Sequence, residues 1–279
     1  MTSGTIAGAG GRDAQGVYAF FDIDGTLVYR DEQHMNGAPT ERVSDALRAF
    51  VAAGGACVLC TGRPREMVVP EVAALPFSGY VTMDGAHVDM GDRVVRDVAI
   101  PSDLVRAALL EMERLDITML VESAGVTVVL DRGRNWWQVP CLHTAQEVID
   151  ARPDLRFSKF AFHDCEMGKV MGSDLLRESF VLYRLGDGIN ELTVEGISKG
   201  DGMRAYLEAL PVRPRRTLAF GDSENDLPMM EVADVPVCMG NARPSVLEHA
   251  RRMGCYIADS VLDDGVASAL DQFGYFSEP

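Results

Sequence analysis

Three short polar clusters in this 279-residue chain carry residues that could do chemistry together: Asp22-x-Asp24-Gly25-Thr26, Thr61-Gly62-Arg63 and Gly221-Asp222-Ser223-Glu224-Asn225-Asp226, with Lys199 between the second and third. Four carboxylates drawn to one place, Asp22, Asp24, Asp222 and Asp226, repel one another unless a hard cation compensates them. Mg²⁺ suits an oxygen-rich site that also holds phosphate. A carboxylate attacking a phosphate dianion meets like-charge repulsion, so further donors must reach the oxygens of the transferring group. Thr61 fits that need, as does Lys199 at the start of a predicted helix, where free backbone N–H groups and the dipole favour an anion. Asp24 falls on the same side of an extended segment as Asp22, where it can protonate a leaving alkoxide and later deprotonate a water. Taken singly, 22–26 also reads as an Asx-capped turn and Lys199 as a solvated side chain; their order and strand-end context together favour chemistry.

Such a site needs elements that end where these residues begin. Residues 17–21 form a short β-prone apolar run that stops at Asp22. A helix is expected from about Thr40, with Val43, Ala46, Leu47, Phe50 and Val51 on one face, Thr40 as cap and Gly54-Gly55 as the stop. The apolar run 56–60 ends at Thr61, and a third short strand is expected at 79–82. Strand, helix, strand is a βαβ unit, and the continuously apolar strands predict a parallel sheet covered on both faces.

After about residue 86 the texture changes to a helix at 102–115, paired strands at 117–121 and 125–130, and a strand at 157–162. A helix near 172–179 follows, then a strand at 180–185 turning at Gly186-Asp187-Gly188 into 191–194. From Ser198 the βα alternation returns, with a helix to about Leu210, a strand at 217–220, a helix after Asn225 and short strands near 235–239 and 255–258. The pattern predicts an α/β fold: a Rossmann-like parallel-sheet core from 17–85 and 195–279, an α+β cap inserted at 86–194, and a flexible leader at 1–16. Ligands of an open parallel sheet bind beyond the carboxyl ends of its strands, so the three clusters should converge on one crevice.

Composition narrows the partners. A 47% apolar share supports a packed core, and a formal charge of −16 argues against nucleic acid or an anionic membrane surface, both of which require basic patches. No run approaches a membrane span, and the first residues lack a basic end followed by an apolar stretch, so a cytoplasmic protein is expected. The six cysteines are scattered, mostly within apolar runs, and predict no disulfide framework. Cys57 and Cys60 make a C-x-x-C, but on a buried strand positions three apart face opposite sides, so they read as core.

At these residues the chain resembles the haloacid dehalogenase-like (HAD) hydrolases, in particular the Cof-type phosphatases with a large C2-type cap. FFDIDGTL, VLCTGRP, GISKG and AFGDSENDLPMM carry the likeness, with VCMGNA and DDGVA as softer echoes. The motifs span Asp22 to Gly265, while the middle segment matches in length and α+β texture alone. The resemblance implies that Asp22 is the nucleophile forming an aspartyl-phosphate and that Asp24 is the acid/base. It implies that Thr61, with Gly62, and Lys199 bind the phosphoryl group, with Asn225 nearby. Asp222 would ligate Mg²⁺ with the Asp22 carboxylate and the Asp24 backbone carbonyl, while Asp226 would hold the metal's waters or orient Lys199. Arg63, Asp84 and Gly85 are expected near the substrate or the cap hinge.

One departure stands out: relatives of this type usually carry Asn-Gly-Ala where this chain has Asp84-Gly85-Ala86. An acid there either changes hydrogen bonding at the hinge or near the leaving group, or caps the turn before Gly85. Trp136, Trp137 and His143 either line a leaving-group pocket or pack within the cap or an oligomer contact. The expected activity is Mg²⁺-dependent hydrolysis of a small-molecule phosphate ester such as a sugar, nucleotide or cofactor phosphate, by a monomer or homodimer. A phosphomutase or phosphotransferase of the same fold and a non-catalytic phosphometabolite sensor are the alternatives. A dehalogenase is disfavoured, because carbon-centred displacement needs neither a second acid nor a metal.

Overall fold

The computed structural model describes residues 13–29, 37–135, 137, 139–186 and 188–276. Residues 1–12 of the expected leader, Trp136 and Asp187 lie outside them. In chain order the strands are β1 Val17–Phe21, β2 Ala56–Cys60, β3 Phe77–Thr82, β4 His87–Met90, β5 Arg93–Asp97, β6 Met119–Ser123 and β7 Val126–Leu130. They continue with β8 Cys141–Leu142, β9 Lys159–His163, β10 Val181–Arg184, β11 Ile189–Thr193, β12 Arg216–Gly221, β13 Val235–Cys238 and β14 Tyr256–Ile257.

Among the described residues these strands form two sheets. The first runs β14-β13-β12-β1-β2-β3-β4-β5 and is parallel from β14 through β3. Its strands are apolar on both sides because both faces are covered. Phe21 and Leu59 face a cluster with Phe220 and the helix Glu41–Ala52, while Phe20 and Val58 face Tyr206 and Met203 of the helix Lys199–Glu208. Phe21 and Phe220 stack with ring centroids 4.8 Å apart, which fixes the neighbouring ends of β1 and β12. Thr40 caps the first helix as expected, accepting a hydrogen bond from the Val43 N–H at 3.1 Å. Cys57, Cys60, Cys238 and Cys255 are buried free thiols, in keeping with the core reading of the C-x-x-C.

The second sheet runs β10-β11-β9-β6-β7-β8 and is antiparallel apart from the β7–β8 pair. One face buries Val121, Phe160 and Phe162 against Val105, Leu109 and Met112 of the helix Ser102–Arg114. The opposite face carries Leu120, Glu122, Lys159, Ala161 and Glu191, and all five are buried. Glu122 and Lys159 are direct cross-strand partners. Charged residues alternating with apolar ones in fully buried strands mean that this face lies against another part of the molecule.

Two differences from the sequence reading concern boundaries. The sequence opens the inserted unit at residue 86, yet β4 pairs antiparallel with β3 and β5 with β4, which extends the first sheet to residue 97. The cause is a tight turn at Gly91, whose φ is +67°, which folds the chain back before it leaves the sheet. Arg93 and Arg96 then make β5 a charged edge strand. Residues 13–16, expected within the flexible leader, are docked: Ala14 is buried, its N–H bonds the Ala53 carbonyl at 3.0 Å, and Arg215 N–H bonds the Gly16 carbonyl at 2.8 Å.

Arg96, near the end of β5, ties the turn after β3 to the chain returning from the second sheet: its guanidinium donates to the Gly85 carbonyl at 2.8 Å and also to the Gly196 carbonyl. Gly85, with φ +86°, and Gly202 let the helix Lys199–Glu208 approach the 83–85 turn backbone to backbone. No helix of the described residues is long and apolar enough to cross a membrane.

A methyl group on Gly202 would overlap Val81 and the Gly85 backbone, and neither neighbour is a flexible side-chain end. Gly202→Ala is therefore expected to destabilise the protein by about 2 kcal/mol or more through overpacking. Chemical denaturation followed by tryptophan fluorescence would measure the loss.

Candidate active site

The three polar clusters converge at the carboxyl ends of β1, β2 and β12. Asp22 continues β1 by one residue, its N–H bonded to the Phe220 carbonyl at 3.0 Å, so its side chain stands at the mouth of the sheet. Lys199, at the N-terminus of its helix, reaches in to donate to Asp22 Oδ1 at 2.7 Å and Asp226 Oδ1 at 2.5 Å. Asp22, Lys199 and Asp226 are all buried, as is Thr61. The second oxygen of Asp226 accepts from the backbone N–H groups of Asp222 and Ser223, both at 2.9 Å. Asp226 thus holds the loop and the lysine with both of its oxygens.

Carboxylate oxygens of Asp22, Asp222 and Asp226 lie within 4.8 Å of one another. Three acids facing one ammonium leave an excess of negative charge. Burial pushes the Asp22 carboxyl up to about 8, against the pull of Lys199 and with help from Asp226 and Asp24. Burial, with the neighbouring Asp226 and Asp22 carboxylates, pushes Asp222 well above the usual carboxylate range. An all-oxygen donor set with uncompensated charge fits a hard divalent cation. Gly25, with φ +81°, is required here, because any Cβ at this position would run into the Asp222 carboxylate. Asn241, not singled out from the sequence, donates to the Gly25 carbonyl at 2.8 Å and to Asp222 Oδ2 at 3.4 Å. Its only sequence signal is the VCMGNA stretch after β13.

The side chain of Asp24 stands apart from that trio. Arg63 grips it with a two-pronged pair, Nε to Oδ2 at 2.8 Å and Nη2 to Oδ1 at 2.6 Å, while Nη1 bonds the Met67 carbonyl at 3.1 Å. Thr61 Oγ1 accepts from the Arg63 N–H at 3.1 Å and shapes the loop that turns the guanidinium toward Asp24. Sequence spacing places Asp24 beside Asp22 but contains nothing about this partner.

Asn225 and Asp84 come together one layer above. Asn225 Nδ2 donates to Asp84 Oδ1 at 2.9 Å, and its Oδ1 is buried with no partner among the described residues. Gly62 lies directly beneath: a Cβ there would be 3.1 Å from Asp84 Oδ1. Glu122, Lys159 and Glu191 of the second sheet face this cluster and were missed from the sequence. Trp137 packs on the same face of the second sheet with Leu120 and Ala161, whereas His143 is exposed beside the capping box of the helix Ala145–Ala151.

Comparison with known proteins agrees with this architecture. A family model for haloacid dehalogenase-like hydrolases matches residues 19–270. A Bacillus subtilis (strain 168) protein that carries a phosphatase name, YkrA, is 26% identical over 263 residues, 91% of this chain and 96% of its own. A Streptococcus pyogenes serotype M6 protein named as a bifunctional phosphatase/peptidyl-prolyl cis-trans isomerase is 27% identical over 261 residues. That match takes in 91% of this chain but spans about half, 53%, of the relative's length. A solved phosphatase structure from Bacteroides thetaiotaomicron superposes with a TM-score of 0.77 at 24% identity, covering 98% of this chain and 100% of that one. A solved HAD subclass IIB sugar phosphatase also gives 0.77 at 23% identity, covering 93% of this chain and 99% of that one. The expected fold, a parallel-sheet core carrying an α+β cap, is the fold of these structures.

The raised Asp22 carboxyl sets a pH dependence for the metal-free protein. A folded-state value of about 8 against an ordinary 3.8 means that folding favours the neutral form. Asp22 therefore costs nothing below the ordinary value and removes stability progressively as pH rises toward 8. A cation needs the ionised form, so its affinity rises over the same window by up to about tenfold per pH unit. In scanning calorimetry the increase in Tm on replacing EDTA with Mg²⁺ should be larger at pH 8 than at pH 5.5. A Tm indifferent to Mg²⁺ at both values would remove the cation from the site.

Proposed function

This chain belongs to the haloacid dehalogenase-like hydrolases, and on that premise we propose that it is a Mg²⁺-dependent phosphatase acting on a small phosphorylated metabolite, with Asp22 as a covalent nucleophile. The observation that carries the reading is the buried Asp22–Lys199–Asp226 chain beside Asp222. It presents one carboxylate at a strand end, aligned by an ammonium that can also meet the oxygens of a phosphoryl group.

In the first half-reaction an Asp22 carboxylate oxygen forms a bond to phosphorus as the bond to the leaving oxygen breaks. Lys199, the Thr61 hydroxyl and the backbone N–H groups around Gly62 are the donors for the phosphoryl oxygens, and Asn225 borders the same space. Asp24 supplies the proton to the leaving oxygen. For this, the Arg63 fork that occupies both Asp24 oxygens must release one of them. In the second half-reaction Asp24 takes a proton from water, the hydroxide oxygen attacks phosphorus, and the bond to Asp22 breaks to regenerate the carboxylate. Inorganic phosphate leaves. Asp22, Asp222 and the Asp24 backbone carbonyl would hold the metal, with Asp226 keeping Lys199 and the loop in place. When bound, Mg²⁺ supplies the positive charge that offsets repulsion between carboxylate and phosphate.

The inserted unit covers this end of the sheet and excludes water from the acyl phosphate while the alcohol departs. With Mg²⁺ the protein is expected to release inorganic phosphate from members of a broad panel of sugar, nucleotide and cofactor monophosphates, and to lose this activity in EDTA. Asp22→Asn should lower kcat by about 10³-fold or more while the fold persists. An Asp22→Asn variant that turns over like wild type would end the nucleophile assignment, and a panel without a single substrate would end the phosphatase reading.

A further inference from the structure

The inner face of the second sheet carries a charge that the catalytic scheme leaves unused. Lys159 on β9 is 2% exposed. Its ammonium lies 3.2 Å from Asp84 Oδ2 and 3.5 Å from Glu122 Oε2, and it donates to Glu191. Glu122 and Glu191 belong to the same sheet as Lys159, whereas Asp84 belongs to the turn after β3. The other Asp84 oxygen accepts from Asn225, one residue before Asp226. A Cβ on Gly62 would stand 3.2 Å from the Lys159 ammonium, so the cluster sits directly over the phosphate loop.

The backbone that presents Asp84 is costly to form. Met83, Asp84 and Gly85 take φ values of +54°, +52° and +86°, three consecutive left-handed residues of which only the last is glycine. Such strain persists where surrounding contacts over-determine it. Three other contacts between the two units are open to water: Glu66 accepts from the Gly125 N–H, Glu224 from the Arg184 N–H, and Arg243 donates to the Leu185 carbonyl; Asn225 Nδ2 also meets Glu191 Oε2 at 3.5 Å, a long buried contact beside the same cluster. Among the described residues, Asp84–Lys159 is the ion pair between the units with both side chains below 5% exposure. An asparagine at position 84 would offer one acceptor oxygen and no charge, where the carboxylate satisfies Asn225 and Lys159 at once.

We propose that Asp84 is a positioning residue: through Lys159 it holds the inserted unit closed over the catalytic acids, and through Asn225 it ties that closed position to the loop carrying Asp222 and Asp226. The structural part stands independently, while its kinetic consequence rests on the phosphatase reading.

Asp84→Asn tests it with little disturbance, because asparagine keeps the shape and tolerates the left-handed backbone. Spin labels at Leu110→Cys and Val212→Cys, both exposed, would report the distance between the units in a background where the exposed Cys141 and Cys165 are replaced by serine. The wild-type residue at 84 should give one short distance population, and Asp84→Asn should add a longer one. Lys159→Met should do the same, and the double variant should go no further than either single. On any ester the enzyme hydrolyses, Asp84→Asn should raise KM about tenfold while kcat changes less than about twofold, because a smaller fraction of molecules is closed. An unchanged distance distribution in Asp84→Asn overturns the proposal, as does a fall in Tm with distances and KM unmoved. Should wild type hydrolyse nothing, the phosphatase reading falls and the distances alone decide this one.

Discussion

A single buried ammonium organises the catalytic end of this molecule. Lys199 has Asp22 on one side and Asp226 on the other, and none of the three is left to water. Away from solvent such attractions are strong, but so are repulsions among the acids, and one lysine does not balance three carboxylates. The surrounding structure serves this crowding. Parallel strands bring Asp22 and Asp222 to neighbouring ends, Gly25 and Gly221 leave room for carboxylates where side chains would collide, and the Asp226 oxygens tie loop and lysine together. The charge that remains is what a divalent cation would neutralise.

Much of the first sheet is legible in the sequence because its strands are apolar on both faces and stop abruptly at charge. The run ending at Phe21 and the run ending at Cys60 leave little choice about where a strand finishes, and the polar clusters that begin at Asp22 and Thr61 follow at once. The β4–β5 hairpin is hidden for the opposite reason. It is short, half-exposed and charged at its edge, so its pattern resembles a linker until the turn at Gly91 closes it against β3. The Arg63–Asp24 pair and the Asn241 contacts escape notice because they depend on loops from distant parts of the chain meeting at one place. Lys159, Glu122 and Glu191 are a different case. Each interrupts an otherwise apolar strand at positions that share one face, a period-two signal of a buried polar surface. That signal is readable in principle, but only once the pairing of β6, β9 and β11 is known.

Rigid packing and local strain sit side by side near the 83–85 turn. Gly202 and Gly85 bring helix and turn into backbone contact, and the left-handed residues before them aim Asp84 away from its own sheet. Stability that could have come from a relaxed turn is given up at the position where the two units meet, as is common where geometry matters more than local energy.

Arg96 has a mechanical consequence. One guanidinium, near the end of β5, bonds the carbonyls of Gly85 in the turn after β3 and of Gly196 on the returning chain, so the returning crossing is fastened to the first sheet at its base. An unpinned crossing would permit sliding and shearing as well as rotation. A crossing pinned at its base resists sliding more than swinging, which keeps the same side chains over the same spot above Asp22.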